Sequence, residues 1–87
     1  MAMNTPISKQ LTTTDATRLT TLKLVIGRCV TVWARAGNSG TIAVGDATAQ
    51  VGALAAGDTI DMYPTTADEI YAKASSANDY VDIICYT

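Results

Sequence analysis

Any chemistry in this chain is done without histidine, since none occurs among its 87 residues, and the commonest general base and the commonest metal ligand go with it. Cys29 and Cys85 show neither Cys-x-x-Cys spacing nor the cysteine density of a secreted disulfide scaffold, and they read as reduced core thiols. Asp58 and Asp61 fall on opposite faces of an extended segment and Asp68-Glu69 lies at a turn, so no carboxylate pair of the kind glycoside hydrolysis requires is formed. A calcium site built from Asp46, Asp58 or Asp79 stays open, although no loop has the ligand spacing of an EF-hand. Thr12 to Thr14 have no base beside them, and Gly37-Asn38-Ser39-Gly40 lacks the lysine and helix start of a phosphate loop. The expectation is a protein that is not an enzyme and carries no cofactor and no metal.

What remains is recognition by aromatic and apolar side chains. Trp33 is the largest apolar side chain, and its strand decides its meaning. If Val30, Val32 and Ala34 face a core, then Cys29, Thr31, Trp33 and Arg35 point the other way. An outward Trp33 flanked by Arg35 would anchor a partner, since both types are enriched at interface hot spots. In a chain without phenylalanine, a Trp33 that plugs the core is the alternative, and the favoured one. On the last strand Val81, Ile83 and Cys85 share one face, and Tyr80, Asp82, Ile84 and Tyr86 share the other, mixed face that can meet a neighbour. The expected partner-binding residues are Trp33, Arg35 and Tyr86, with Thr5, Pro6 and Ile7, whose extended-prone segment could lie along a neighbour's sheet edge and donate backbone hydrogen bonds. Tyr63, Tyr71, Tyr80 and Tyr86 could instead form a sugar-binding platform, although tyrosines rimming a core explain them more simply.

These residues need strands to hold them. Thr and Ala each occur 14 times, and this composition favours extended chain over a helical core. Leu22 to Ile26 is a nearly continuous apolar run, and Cys29 to Arg35 is rich in β-branched and aromatic residues. Ala36 to Gly40 predicts a turn into Thr41 to Val44, so the two extended runs form a hairpin. Residues 47–57 are rich in Ala and Gly and read as a loop, because Val51-Gly52 breaks any helical period. Asp58 to Tyr63 alternates and stops at Pro64, and Glu69 to Ala74 and Tyr80 to Tyr86 complete the set. Five to seven short strands spaced by turns predict an all-β, small single-domain antiparallel β-sandwich or jelly-roll-like barrel. Residues 1–16 read as an N-terminal extended arm or an edge strand, and 17–87 as the sandwich domain.

Size and charge narrow the functional classes. A chain of 9.1 kDa has no room for a cleft between two domains, so a sizeable binding surface lies on an exposed face or a subunit boundary. Charged residues make up only 16% of the chain and the formal charge is −2, which disfavours nucleic acid as a partner. No stretch is apolar enough to span a bilayer, and Met1 to Lys9 lacks the apolar region of a signal peptide, so a soluble protein made in a cytoplasm is expected.

Val30-Thr31-Val32 leading into Asn38-Ser39-Gly40-Thr41-Ile42-Ala43-Val44-Gly45, then Gly52 to Ile60, Asp68 to Tyr71 and Tyr80 to Ile83, resembles the small β-sandwich accessory, or decoration-type, proteins of tailed-bacteriophage virions. The resemblance spans roughly residues 28–84 and leaves Ala47 to Val51 unaccounted for. It implies a virion location after synthesis in the bacterial host cytoplasm. It further implies a capsid-decorating role that cements the head, a homotrimer as the working form, and self and the major capsid protein as partners. It carries over no catalytic residues. A carbohydrate-binding or host-attachment module at a tail or fibre tip is the alternative.

Overall fold

The computed structural model describes residues 4–87. Eight strands make two four-stranded antiparallel sheets: β1 (Asn4–Leu11), β2 (Thr17–Arg18), β3 (Val30–Ala34), β4 (Ile42–Gly45), β5 (Gln50–Leu54), β6 (Thr59–Met62), β7 (Tyr71–Ala74) and β8 (Asp79–Tyr86). The orders are β1-β8-β3-β6 and β2-β7-β4-β5. The first strand thus pairs the last, the second the seventh, the third the sixth and the fourth the fifth, which is the double Greek key of a jelly roll. The all-β sandwich expected from strand spacing is the architecture found.

The core is the sum of the inward faces. Val30, Val32 and Ala34 of β3 stand beside Cys85, Ile83 and Val81 of β8, all within 2% of complete burial. The second sheet contributes Ile42 and Val44 of β4 and Ala72 and Ala74 of β7, and Leu11, Leu19, Ala67 and Ile70 close the ends. Small and β-branched side chains fill the space between sheets, which lets the sandwich close without phenylalanine. Cys85 is fully buried, but Cys29 is only half-buried, so one of the two expected core thiols stands at the margin.

Three local expectations are corrected. Val30–Ala34 and Ile42–Gly45 do not form a hairpin, because they lie in different sheets. The Asn38 amide explains the crossing: its Oδ1 accepts from the Tyr80 N–H and its Nδ2 donates to the Tyr80 carbonyl, both at 2.8 Å. One side chain thereby takes the place of a strand partner and carries the chain off the sheet. The Asp79 carboxylate accepts from the Ser39 N–H at 2.9 Å and the Gly40 N–H at 2.8 Å, clamping the crossover to the start of β8. A Cβ at position 40 would press on the Ser75 and Ser76 hydroxyls, so a larger residue there would have to displace both.

Residues 50–54, read as loop, form β5. Gly52 has φ +85° and sits where the pairing skips, so the bulge brings Val51 opposite Val44 and Leu54 opposite Ile42 despite the Ala/Gly-rich sequence. The apolar run Leu22 to Ile26 is not a strand. Its ladder pairing is a single bridge, Val25 to Thr66; Leu24 and Ile26 pack against the core while Leu22 and Val25 are left exposed. Residues 4–11 of the segment read as arm or edge strand pair along their whole length with β8, while residues 1–3 lie outside the described residues.

Two outcomes follow. Ile83→Ala removes a buried side chain from the centre of β8 and should cost about 2–5 kcal/mol in denaturant unfolding, with the midpoint falling and the slope unchanged. The Ser39 and Gly40 N–H groups hold the Asp79 carboxyl below the usual carboxylate range. Its stabilising effect is therefore present above the unfolded value of about 4 and is lost as pH falls through the folded one. Asp79→Asn places a donor against one of those N–H groups. The gap in melting temperature between wild type and Asp79→Asn should be open at pH 7 and close towards pH 3.

Candidate functional site: the outer face of the β1-β8-β3-β6 sheet

Pairing registers set out the outer face as rows. Pro6, Ile84, Thr31 and Asp61 form one, and Ser8, Asp82, Trp33 and Thr59 the next. Gln10, Tyr80 and Arg35 form the third, in which Arg35 N–H donates to the Tyr80 carbonyl at 3.3 Å. Because Val30, Val32 and Ala34 are buried, Trp33 and Arg35 point outward, and Trp33 as core plug is overturned. The neighbouring inward positions are Val32 and Ala34, both buried, and the alternation of the strand leaves the largest ring half-buried on the outside.

Arg35 and Asp82 make the one ion pair among the described residues. It is two-pronged: Arg35 Nη2 donates to Asp82 Oδ1 at 2.7 Å and Nε donates to Oδ2 at 3.1 Å. Ser8 Oγ donates to the same Oδ1 at 2.6 Å, tying β1 into the network. The guanidinium lies over the Tyr80 ring, 4.0 Å from its centroid. Hydrogen bonds from Arg35, then from Ser8, hold the Asp82 carboxyl below its ordinary range. The pair is part-exposed, so its effect is to fix side-chain positions more than to stabilise the fold.

A hollow of ≈ 520 Å³ lies among these groups, lined by Pro6, Ile7, Trp33, Arg35, Asp82 and Ile84 among others. Four of the six expected partner-binding residues, Pro6, Ile7, Trp33 and Arg35, therefore meet at one place. Thr5 pairs with Cys85 and does not line the hollow. Tyr86 lies at the far end of β8 beside a smaller hollow of ≈ 280 Å³ that also touches Cys29 and Asp61. Ser8 was not singled out from sequence, and Asp82 and Ile84 were placed only on the mixed face of the last strand that can meet a neighbour. The signal was their shared parity with Trp33 once the β1-β8-β3 register is known.

The four tyrosines do not converge. Tyr80 and Tyr86 are on this face, Tyr71 is on the outside of the other sheet under Arg18, and Tyr63 is 77% exposed in the segment after β6. The common sugar platform is not built, and neither do the rings rim one core. The three acidic residues weighed for calcium each serve a separate turn. Asp46 accepts from Thr48 Oγ1, with its carboxyl lowered by that bond and by the backbone N–H groups beside it. Asp58 accepts from the Ala55 N–H, and Asp79 holds the Ser39–Gly40 crossover. No group of three or more acidic or sulfur ligands gathers among the described residues. No helix among them is long and apolar enough to cross a membrane.

No protein family, curated protein or solved structure matches this chain.

Trp33 is the chain's one tryptophan, so its emission reports on the hollow. Acid should protonate Asp82 below its lowered value and free Arg35. The expected result is a change in Trp33 emission on descending below about pH 4, with the far-ultraviolet β signal intact at the onset. Asp82→Asn should give the altered emission already at pH 7 and abolish the step.

Proposed function

We propose that this chain is a virion structural protein of a tailed bacteriophage that decorates and cements the head by docking on the major capsid protein. One observation carries the reading: half-buried Trp33 stands on an outer sheet face among Pro6 and Ile84, beside an arginine already locked in place by Asp82 and Tyr80. A rigid aromatic anchor next to a pre-positioned charged group is the composition of a protein-binding hot spot, where little side-chain entropy remains to be lost on docking. The low charged fraction of the chain supports the same reading, since charged residues are depleted at interface centres. Cementing works by mass action: a ligand that binds only the closed shell raises the cost of opening it, and many modest contacts repeated over a shell add up.

The working form is an oligomer, and the chain is carried in the virion after synthesis in the host cytoplasm. The test is binding to undecorated heads of the phage that encodes the chain. Wild type should sediment with the heads and raise their melting temperature. Trp33→Ala should keep the far-ultraviolet spectrum and lose about 2 kcal/mol or more of binding. Absence of the chain from purified particles, or undiminished binding by Trp33→Ala, overturns the reading. Glycan-dependent retention with no affinity for heads would favour host attachment instead.

A further inference from the structure

Three of the sheet edges are closed to a further strand. β1 carries Pro6, β2 is two residues long, and the pairing of β5 skips at Gly52. β6 has no such device: Thr59–Met62 contains neither proline nor glycine and pairs with β3 in one unbroken register. Thr59, Ile60 and Asp61 are exposed in succession. Ile60 is opposite the buried Val32 and so belongs to the core face, yet it is 42% exposed because no strand lies beyond β6.

The bonds at the start of β6 fix where its backbone groups point. The Asp58 carbonyl accepts from the Ala34 N–H at 3.0 Å, on the β3 side. Alternate residues of an antiparallel strand turn their N–H and C=O to the same neighbour. Ile60 and Met62 therefore bond to β3, and the N–H and C=O groups of Thr59 and Asp61 point to the free edge. No other backbone hydrogen bond among the described residues uses them. The edge thus offers donors and acceptors in ladder spacing on either side of an apolar side chain.

We infer that β6 of one copy pairs antiparallel with β6 of a second copy about a two-fold axis at Ile60, joining the two β1-β8-β3-β6 sheets into one. This rests on the assembly reading above and assigns the surface and the register that carry it. Each Thr59 exchanges both backbone bonds with the partner's Asp61, and the two Ile60 side chains stand between these pairs as a close pair on the core face. On the outer face, Asp61 Oδ1 already accepts from Thr31 Oγ1 at 2.8 Å, and the hydroxyl of the partner's Thr59 is the donor for Oδ2. Asp58, opposite the partner's Met62 at the ladder's end, keeps its carboxylate on the Ala55 N–H at 3.0 Å. The neighbouring registers are poorer. An axis at Asp61 opposes two carboxylates, and an axis at Thr59 sets Ile60 against Asp58 and Asp61 against Gly57. A two-fold contact is its own complement, so it closes at two copies. The short link Ala55 to Asp58 keeps β5 beside β6, so the same axis turns the 72% exposed Val51 of each copy towards the other. Because the axis stands normal to the sheet, both Trp33 hollows open on one face and the docking described above becomes bivalent.

Sedimentation equilibrium and native mass spectrometry of the full chain from micromolar to millimolar concentration test the pairing, and amide hydrogen exchange reads its register. Wild type should pass from one copy to two as concentration rises. Exchange at the Thr59 and Asp61 amides should slow in step, while the Ile60 and Met62 amides, already bonded to β3, stay slow throughout. Ile60→Asp should keep the far-ultraviolet spectrum and weaken association at least about a hundredfold, since it sets like charges against each other at the axis. In a Cys29→Ser background, Ile60→Cys should cross-link into a disulfide dimer with oxidised glutathione, and Thr59→Cys should not. A chain that stays monomeric to millimolar concentration, a species of more than two copies, a dimer whose Thr59 and Asp61 amides remain fast, or equal cross-linking at positions 59 and 60 overturns the inference. Sedimentation with undecorated heads separates it from docking. A dimer that ignores heads defeats docking alone, and a monomer that binds heads defeats the pairing alone.

Discussion

The structure depends on β8 being held in one register between β1 and β3. That strand is paired on both sides along most of its length, and its alternate residues serve opposite purposes. Val81, Ile83 and Cys85 fill the core, while Tyr80, Asp82 and Ile84 build the outer face. A slip of one residue would bury a carboxylate and expose the centre of the core, so the fold and the face stand or fall together. The Asp79 carboxylate and the Asn38 amide pin the start of the strand, and both grip the same crossover. Register is thus set by side-chain hydrogen bonds at one end and by hydrophobic alternation along the rest.

The same constraint explains how a small sandwich presents a rigid binding face. Trp33, Arg35 and Asp82 sit on adjacent paired strands, where position is set by backbone hydrogen bonds. Arg35 has Asp82 in front of it and Tyr80 beneath it, so its long side chain has lost much of its freedom before any partner arrives. The cost is modest because the pair stays in contact with solvent. At one flank, Val51 of β5 and Ile60 of β6 are left exposed although they pair with the buried Val44 and Val32. A jelly roll of this size has too little interior to enclose all its apolar residues.

Alternation made the central strands legible: Val30 to Ala34 and Tyr80 to Tyr86 carry period-two patterns that no helix would tolerate. The same pattern was silent on which face of β3 is covered, since Val32 and Trp33 are both apolar and only packing decides between them. β5 was missed because its strand character comes from a bulge at Gly52 and from pairing with β4, and Val51 is its one residue of strong β propensity. Asn38-Ser39-Gly40 has the composition of a hairpin turn. Its use as a crossover comes from Asp79 and Tyr80, some forty residues distant. The candidate site was half legible for the same reason: Trp33, Arg35, Pro6 and Ile7 stood out by type, while Ser8 and Asp82 acquire meaning only by lying beside them.

By itself, then, the amino-acid sequence determined the all-β class and the two-residue alternation of β3 and β8, along with the lack of any histidine-based chemistry. Those properties follow from residue type and short-range period. Tertiary structure alone decided that Trp33 faces outward, that the four tyrosines scatter over both sheets and an end, and that β3 and β4 part company. Each depends on which strands become neighbours, and in a jelly roll most neighbours are far apart in the chain, where local pattern has no reach.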